Sequence, residues 1–369
     1  MSAHLLPPGP PPELCTLGDK LRFLQSPGAL EGGGPDTELI ETHVSWIVLS
    51  ARHALKLKKP VRSPWFDFTT LQARQRNALE ELRLNRRLAP DIYLDVLALV
   101  LEGERLRLVP QGLVDPQARV VDWVVWMKRL PAQRMLDRMI RDHTLSRDDV
   151  ETLSDVLHGF YRRASVSVLR EQDYLERFAR EDRLNREVLL LPRFALRGAD
   201  EVLAGYTTAM AAAQPVLRDR VRHYRLVDGH GDLRPEHVCL LPTPVVIDAL
   251  EFSTELRQVD QLDELIFLSM ECALLGAPWI EPVLLQRWTR FNGDAVPGGL
   301  PEFYRASRAL LRARQCAAHL LDDRPRTPDR WLPRAQAYLD AAGETLRGAL
   351  SAPGGAAPRR VAAPDRPGP

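Results

Sequence analysis

The segment "DGHGDLRPEHVCLLPTPVVIDALEF", residues 228 to 252, holds six side chains able to move a proton or hold a cation: His230, Asp232, Glu236, His237, Asp248 and Glu251. Gly231 permits backbone conformations that a β-carbon resists, so the Asp232 carboxylate can project into a cleft instead of packing down. Asp248 ends the apolar run Val245-Val246-Ile247 and so emerges from the end of a buried strand. A hairpin from 237 to 248 brings its own ends together, and with them Asp232, His237 and Asp248. Two carboxylates beside a third ligand suit a hard divalent cation such as Mg²⁺, completed by substrate phosphate oxygens. A carboxylate kept off the cation can orient a hydroxyl and accept its proton. The same side chains admit a second chemistry, a metallohydrolase built on His230, Asp232, His237 and Asp248.

Such a loop needs a scaffold, and the chain changes character once to provide it. From about 38 to 130 the runs "ETHVSWIVLS", "HALKLKK", "RLRLVP" and "VVDWVVWM" are rich in Val, Ile and Trp and partly alternate, which predicts strands. The stretch "FTTLQARQRNALEELRLNRRLA" is full of helix formers and stops at Ala89-Pro90, which predicts one helix among them. After about 131 the pattern is mainly helical. Ser146 and Asp149 form a capping box ahead of "VETLSDVLHGFYRRASVSVL", and amphipathic stretches follow over 165–189, 200–222, 258–275, 281–293, 301–322 and 330–350. Trp123 and Trp126 read as core residues more readily than as cofactor-stacking ones. The expected order is a largely flexible segment 1–37, a sheet-rich lobe 38–130, a helical lobe 131–350 with the inserted hairpin, and a disordered tail 351–369. Residues 1–13 and 351–369 are rich in Pro and poor in large apolar residues, so neither stretch offsets its ordering entropy.

Bulk composition narrows the class. The chain has 369 residues, with 50 Lys plus Arg against 49 Asp plus Glu, a net charge of +1. That balance argues against a general polyanion binder, so no nucleic-acid partner is expected. Cys15, Cys239, Cys272 and Cys316 form no CxxC pair, which argues against a disulfide framework or zinc knuckle. The start carries no basic-then-apolar signal pattern, and no apolar run reaches membrane-spanning length, so a soluble cytoplasmic protein with no membrane partner is expected. No GxSxG, HExxH or GxxxxGK[ST] is present.

The segments "HGDLRPEH" and "VVIDALEF" resemble the catalytic signature of the aminoglycoside phosphotransferase superfamily, which is related to protein kinases. More narrowly, "ELIETHVSWIVLS", "ALKLKKPV", "FDFTTLQARQRNALEELRLNRRLAPDIYL", "MKRLP", "MLDRMI" and "RQVDQLDELIFLSMEC" resemble an uncharacterised bacterial branch of it, some members of which add a P-loop half that this chain lacks. The resemblance implies an α+β, two-lobed protein-kinase-like fold and transfer of the ATP γ-phosphoryl group to a hydroxyl of a small-molecule acceptor, with Mg²⁺ or Mn²⁺. It implies that Asp232 is the catalytic base, Asp248 the main metal ligand and His230 a structural brace. Lys56 matches the strand lysine that grips phosphates; Lys58, on the same strand face, is the alternative. Glu81 matches the helix glutamate that holds this lysine, with Glu80 as competitor. Met127, Lys128 and Arg129, with Leu130, match the segment that meets adenine through its backbone. Asp260 and Glu264 match acidic positions that brace the metal loop. One departure stands out. The family's metal-binding Asn falls on His237, a softer ligand than Mg²⁺ prefers. It implies weakened metal binding, water in place of that ligand, or a preference for Mn²⁺. With no glycine-rich loop over the phosphates, it also motivates an alternative function, a nucleotide-binding regulator with little turnover.

Overall fold

The computed structural model describes residues 15–27, 29, 36–63, 65–293, 295–321 and 327–351. By its contacts the chain divides into two compact units: residues up to 163 with 230–258, and 164–229 with 259 onward.

In the first unit the alternating runs become strands: β1 (Glu38–Glu41), β2 (Ser45–Leu49), β3 (His53–Lys58), β4 (Tyr93–Glu102), β5 (Arg105–Pro110) and β6 (Val120–Lys128). They form one antiparallel sheet in the order β1-β2-β3-β6-β4-β5. Side chains alternate between its faces. Leu55 and Leu57 of β3 join Val48, Leu97 and Val124 on one face. Ala54 joins Val96, Ala98, Trp123 and Val125 on the other, beneath Ala78 and Leu82 of helix α2 (Leu71–Asn85). Lys56 and Lys58 share that second face by the same period of two. They enter it only 7 % and 2 % exposed, so each must find a counter-charge there. Trp123 lies in this core and Trp126 packs against the opposite cluster, as expected of core residues.

The 1–37 segment, expected to be largely flexible, contains helix α1 (Leu17–Leu24). Thr16 and Asp19 form a reciprocal capping box at its start, and Leu24 joins the Leu55 cluster. Lys20 adds a tether: its Nζ lies 2.8 Å from Asp122 Oδ2, while Arg74 Nε donates to Oδ1 at 2.8 Å. Residues 1–14 and 352–369, which cover most of the two ends expected to lack structure, lie outside the described residues. Ser351 closes the last helix.

The lobe boundary expected at 130/131 is displaced. Helices α3 (Leu136–Arg141) and α4 (Arg147–Arg163) group with the sheet, as does the loop and hairpin 230–258. Hydrogen bonds explain the grouping. Strands β8 (Val238–Cys239) and β9 (Val245–Val246) pair antiparallel as a short hairpin. Leu240 N donates to Arg134 O at 2.8 Å, and Ala249 N donates to Asn85 Oδ1 at 2.8 Å. A short helix α7 (Thr254–Arg257), N-capped by Ser253, follows the hairpin. The capping box at Ser146 forms as expected, with Asp149 N donating to Ser146 Oγ at 3.1 Å and Ser146 N donating back to Asp149 Oδ2 at 3.1 Å.

The second unit is mainly helical: α5 (Glu171–Leu189), α6 (Ala199–Arg222), α8 (Gln261–Leu274), α9 (Ile280–Asn292), α10 (Leu300–Ala318) and α11 (Pro328–Ser351), with the short strands β7 (Leu226–Asp228) and β10 (Gln258–Asp260). The helix expected from 165 begins at 171, because Ser167 N donates to Leu226 O and Asp228 N to Ser165 O, which holds 165–167 extended. Its core is aromatic, with Tyr174, Phe178, Tyr206, Phe303 and Tyr304 mutually in ring contact. Among the described residues no helix is long and apolar enough to cross a membrane.

Candidate active site

The expected site residues that come together all lie in the first unit. Glu81, one residue beyond Glu80, is rotated by about 100° around α2. That rotation separates their fates. Glu81 is fully buried under β3, whereas Glu80 pairs with Arg83 at 2.7 Å. Glu81 Oε1 accepts from Lys56 Nζ at 2.8 Å, and Glu81 Oε2 lies 2.7 Å from Lys58 Nζ. The two lysines then diverge. Lys56 Nζ reaches Asp248 Oδ1 at 2.7 Å, and Lys58 Nζ reaches Glu251 Oε1 at 2.5 Å. One carboxylate on α2 thus holds two ammonium groups, and each of these holds one anion of the 248–251 segment.

The protonation states follow. Burial alone would push the Lys56 ammonium down, but Asp248, Glu81 and Glu251 outweigh it and hold it well above the usual lysine value. Burial would raise Glu81, and Lys56 with Lys58 overcome this and keep it below the usual carboxylate value. Asp248 is likewise held low, with Lys56 the main cause acting against burial. Lys56, Glu81 and Asp248 are therefore charged at neutral pH.

Asp248 adopts a left-handed backbone with φ 63°, a conformation Asp tolerates better than most residues. Its N–H donates to the Tyr93 hydroxyl at 3.3 Å, and its side chain is 44 % exposed. The backbone is pinned while the side chain faces outward. Arg257, itself buried, donates from Nη1 to Leu250 O at 2.7 Å and ties down the rest of the segment.

His230 braces the loop. Its Nε2 is 2.9 Å from Ile247 O, and its Nδ1 is 3.3 Å from Asp232 N. A carbonyl only accepts, so Nε2 carries the proton and Nδ1 accepts from the Asp232 amide. Burial, with His237 a lesser cause, pushes the His230 pKa down to about 4. In the unfolded chain the ring takes a proton near 6.5. Between these values the unfolded state binds more protons, so stability is complete above about pH 6.5 and falls as the pH drops toward 4. The gap from 6.5 to 4 corresponds to roughly 3 kcal/mol at about 1.4 kcal/mol per pH unit. Denaturant unfolding at a series of pH values should show this acid-limb loss in the wild type and a markedly flatter limb in His230→Asn. Gly231 beside it has φ +88°, and a β-carbon there would lie 2.9 Å from Leu250 Cβ, so only glycine fits this turn.

Asp232 and His237 face each other across the turn. His237 Nδ1 donates to Asp232 O at 2.8 Å, and its Nε2 lies 3.6 Å from Asp248 Oδ2. Sequence reasoning assigned no role to Arg234, which contacts both residues. Its position between two carboxylates in "DLRPE" was the available signal. Asn85, Tyr93 and Arg257, which fix the 248–251 segment, had none in the linear pattern.

The segment 127–129 lies at the end of β6 and just beyond it. Met127 is buried and Lys128 exposed. The Lys128 amide donates to Ile92 O at 2.9 Å and the Arg129 amide to Arg52 O at 2.8 Å, while Arg129 Nη1 donates to Ser50 O at 2.9 Å. Those two backbone donors are committed within the sheet unit. Asp260 and Glu264 fall in the second unit. There Asp260 accepts from Arg220 Nε at 2.6 Å and Tyr304 Oη at 3.1 Å and caps α8 through Leu262 N; Glu264 is buried beside Gly229.

Among the described residues no group of three or more His, Cys, Asp or Glu side chains is arranged to hold a metal ion. The donor set fits a different kind of site. A single outward carboxylate, Asp248, beside a fixed ammonium suits Mg²⁺ that arrives with phosphate oxygens to complete its shell.

No protein-family model matches the chain. Uncharacterised proteins of Mycobacterium tuberculosis and Mycobacterium bovis are each 28 % identical over 291 residues, covering 76 % of this chain and 54 % of theirs. The chain therefore spans about half the length of the curated relatives it matches. Among solved structures, a choline/ethanolamine kinase family protein from Mesorhizobium loti is similar with a TM-score of 0.51 at 15 % identity, covering 92 % of this chain and 96 % of that one. The AMP-bound complex of a spectinomycin phosphotransferase is similar with a TM-score of 0.51 at 10 % identity, covering 91 % and 98 %. The chain has the fold of these small-molecule kinases and phosphotransferases, the protein-kinase-like fold expected from its sequence.

Proposed function

We propose that this chain is an ATP-dependent phosphotransferase that moves the γ-phosphoryl group to a hydroxyl of a small-molecule acceptor. One observation carries the reading: Lys56 is held at once by the buried Glu81 and by the outward-facing Asp248, at 2.8 and 2.7 Å. A purely structural pair would bury both anions. Here one partner is left 44 % exposed, where phosphate oxygens can take its place at Lys56. Lys56 then grips phosphate while Glu81 keeps it aimed, and Asp248 turns its oxygens to the cation. Asp248 would hold Mg²⁺, which would supply charge neutralisation for the transferring phosphoryl group. Asp232 orients the acceptor hydroxyl and accepts its proton, with Arg234 fixing the carboxylate through Oδ2. Met127, Lys128 and Arg129 border the nucleobase. The chemistry is positioning and charge neutralisation more than covalent catalysis.

Choline and ethanolamine in one relative's name and spectinomycin in the other's are hydroxyl-bearing small molecules, which suggests the first acceptors to try. Phosphorus NMR of ATP, Mg²⁺ and protein with a panel of amino alcohols, sugars and aminocyclitols should show a new phosphomonoester together with ADP. ATP that binds but is never consumed with any acceptor would favour the second reading, a nucleotide-binding regulator. That reading draws on the contacts of Arg234 with both Asp232 and His237.

A further inference from the structure

Arg234 uses all three of its guanidinium nitrogens inside the loop. Nε and Nη2 each lie 3.0 Å from Asp232 Oδ2, Nη1 donates to Glu236 Oε1 at 2.7 Å, and Nη2 lies 3.2 Å from His237 Nε2. The side chain is 16 % exposed, so it is seated in the loop and does not trail in solvent. The imidazole geometry fixes what the last contact means. His237 Nδ1 meets the Asp232 carbonyl at 2.8 Å, and a carbonyl only accepts, so Nδ1 carries the proton. Nε2 then presents its lone pair, and the arginine N–H donates to it. The electron pair a metal would need from His237 is already taken by a permanent cation.

We propose that Arg234 stands in for a second divalent cation, so that the nucleotide complex of this chain holds one metal ion, on Asp248, with His237 outside its coordination shell. The inference rests on the phosphotransferase reading and specifies its metal site. Three features make arginine suited to the position. Its planar fork binds two carboxylates at once, Asp232 and Glu236, in directions that a hydrated ion would not fix. Its charge persists at any working pH. Its placement against Asp232 puts that charge beside the group assigned to the acceptor hydroxyl, where a second metal would otherwise help neutralise phosphate. The histidine in place of the family's asparagine becomes intelligible on this arrangement. It needs only to bond Asp232 O and accept from Arg234, and ligand hardness toward Mg²⁺ no longer matters.

The test uses Mn²⁺ as the spectroscopic probe with the β,γ-imido analogue of ATP and the full chain. Free Mn²⁺ counted by electron paramagnetic resonance should give one bound ion per protein–nucleotide complex, and echo-modulation spectra should lack the nitrogen coupling of a ligated imidazole. Arg234→Gln should gain a second ion and the imidazole coupling, the double variant Arg234→Gln/His237→Ala should lose both, and Arg234→Lys, which keeps a charge, should stay at one. Two ions or an imidazole signal in the wild type would overturn the proposal whatever the variants do, as would Arg234→Gln binding nucleotide with one ion and no coupling. A wild type that binds neither nucleotide nor Mn²⁺ would overturn the phosphotransferase reading and this inference together.

Discussion

Lys58→Met should lower folding stability by about 3–5 kcal/mol, the cost of leaving a buried ion without its partner. Lys58 is 2 % exposed and bridges Glu81 Oε2 at 2.7 Å to Glu251 Oε1 at 2.5 Å. Methionine keeps most of the stem's packing volume and removes only the charge. Glu81 retains Lys56, but Glu251, with a side chain 7 % exposed, loses the ammonium that offsets its desolvation. The double variant Lys58→Met/Glu251→Gln removes the stranded charge as well, so it should recover much of the loss. Urea unfolding of the four proteins in the cycle measures the coupling. Additive losses would show that Lys58 and Glu251 are not partners. Lys56→Met behaves differently on this account: Asp248 remains solvated, and the larger consequence falls on nucleotide binding.

Asp232→Asn should leave ATP binding within about twofold and lower phosphoryl transfer by about 10²–10⁴-fold, the usual contribution of a positioned general base. The amide keeps the shape that Arg234 and His237 pack against and removes the group that takes the proton. Loss of ATP binding in this variant would move Asp232 from the acceptor side to the nucleotide side. Unchanged transfer would remove its assigned role.

The strands and α2 were legible because alternation and helix-forming composition are local properties. Lys56 and Lys58 could not be separated in the sequence, since a strand places every second side chain on one face. The structure shows the ambiguity to be physical: both lysines hold the same Glu81. The choice between Glu80 and Glu81 needed only to know which face of α2 meets the sheet, and burial decides it. Helix α1 escaped notice because Pro-rich surroundings masked a short signal, Thr16 with Asp19 three residues on. The hairpin 237–248 was readable from the apolar run that ends at Asp248. Its grouping with the sheet depends on Asn85, Tyr93 and Arg134, which are distant in sequence. Arg234 was overlooked for a related reason: its direction follows from the Gly231 turn and the His230 brace, and neither fixes a side chain's aim in a linear pattern.

The reading of Asp248 as the cation-holding carboxylate is tested most directly by calorimetric titration of ATP, with and without Mg²⁺, into the wild type and Asp248→Ala. The wild type should bind ATP in a Mg²⁺-dependent way, and the variant should lose at least about tenfold, or 1.4 kcal/mol, with its Mg²⁺ dependence gone. Absence of ATP binding by the wild type, or equal Mg²⁺-dependent binding by both proteins, would contradict that reading.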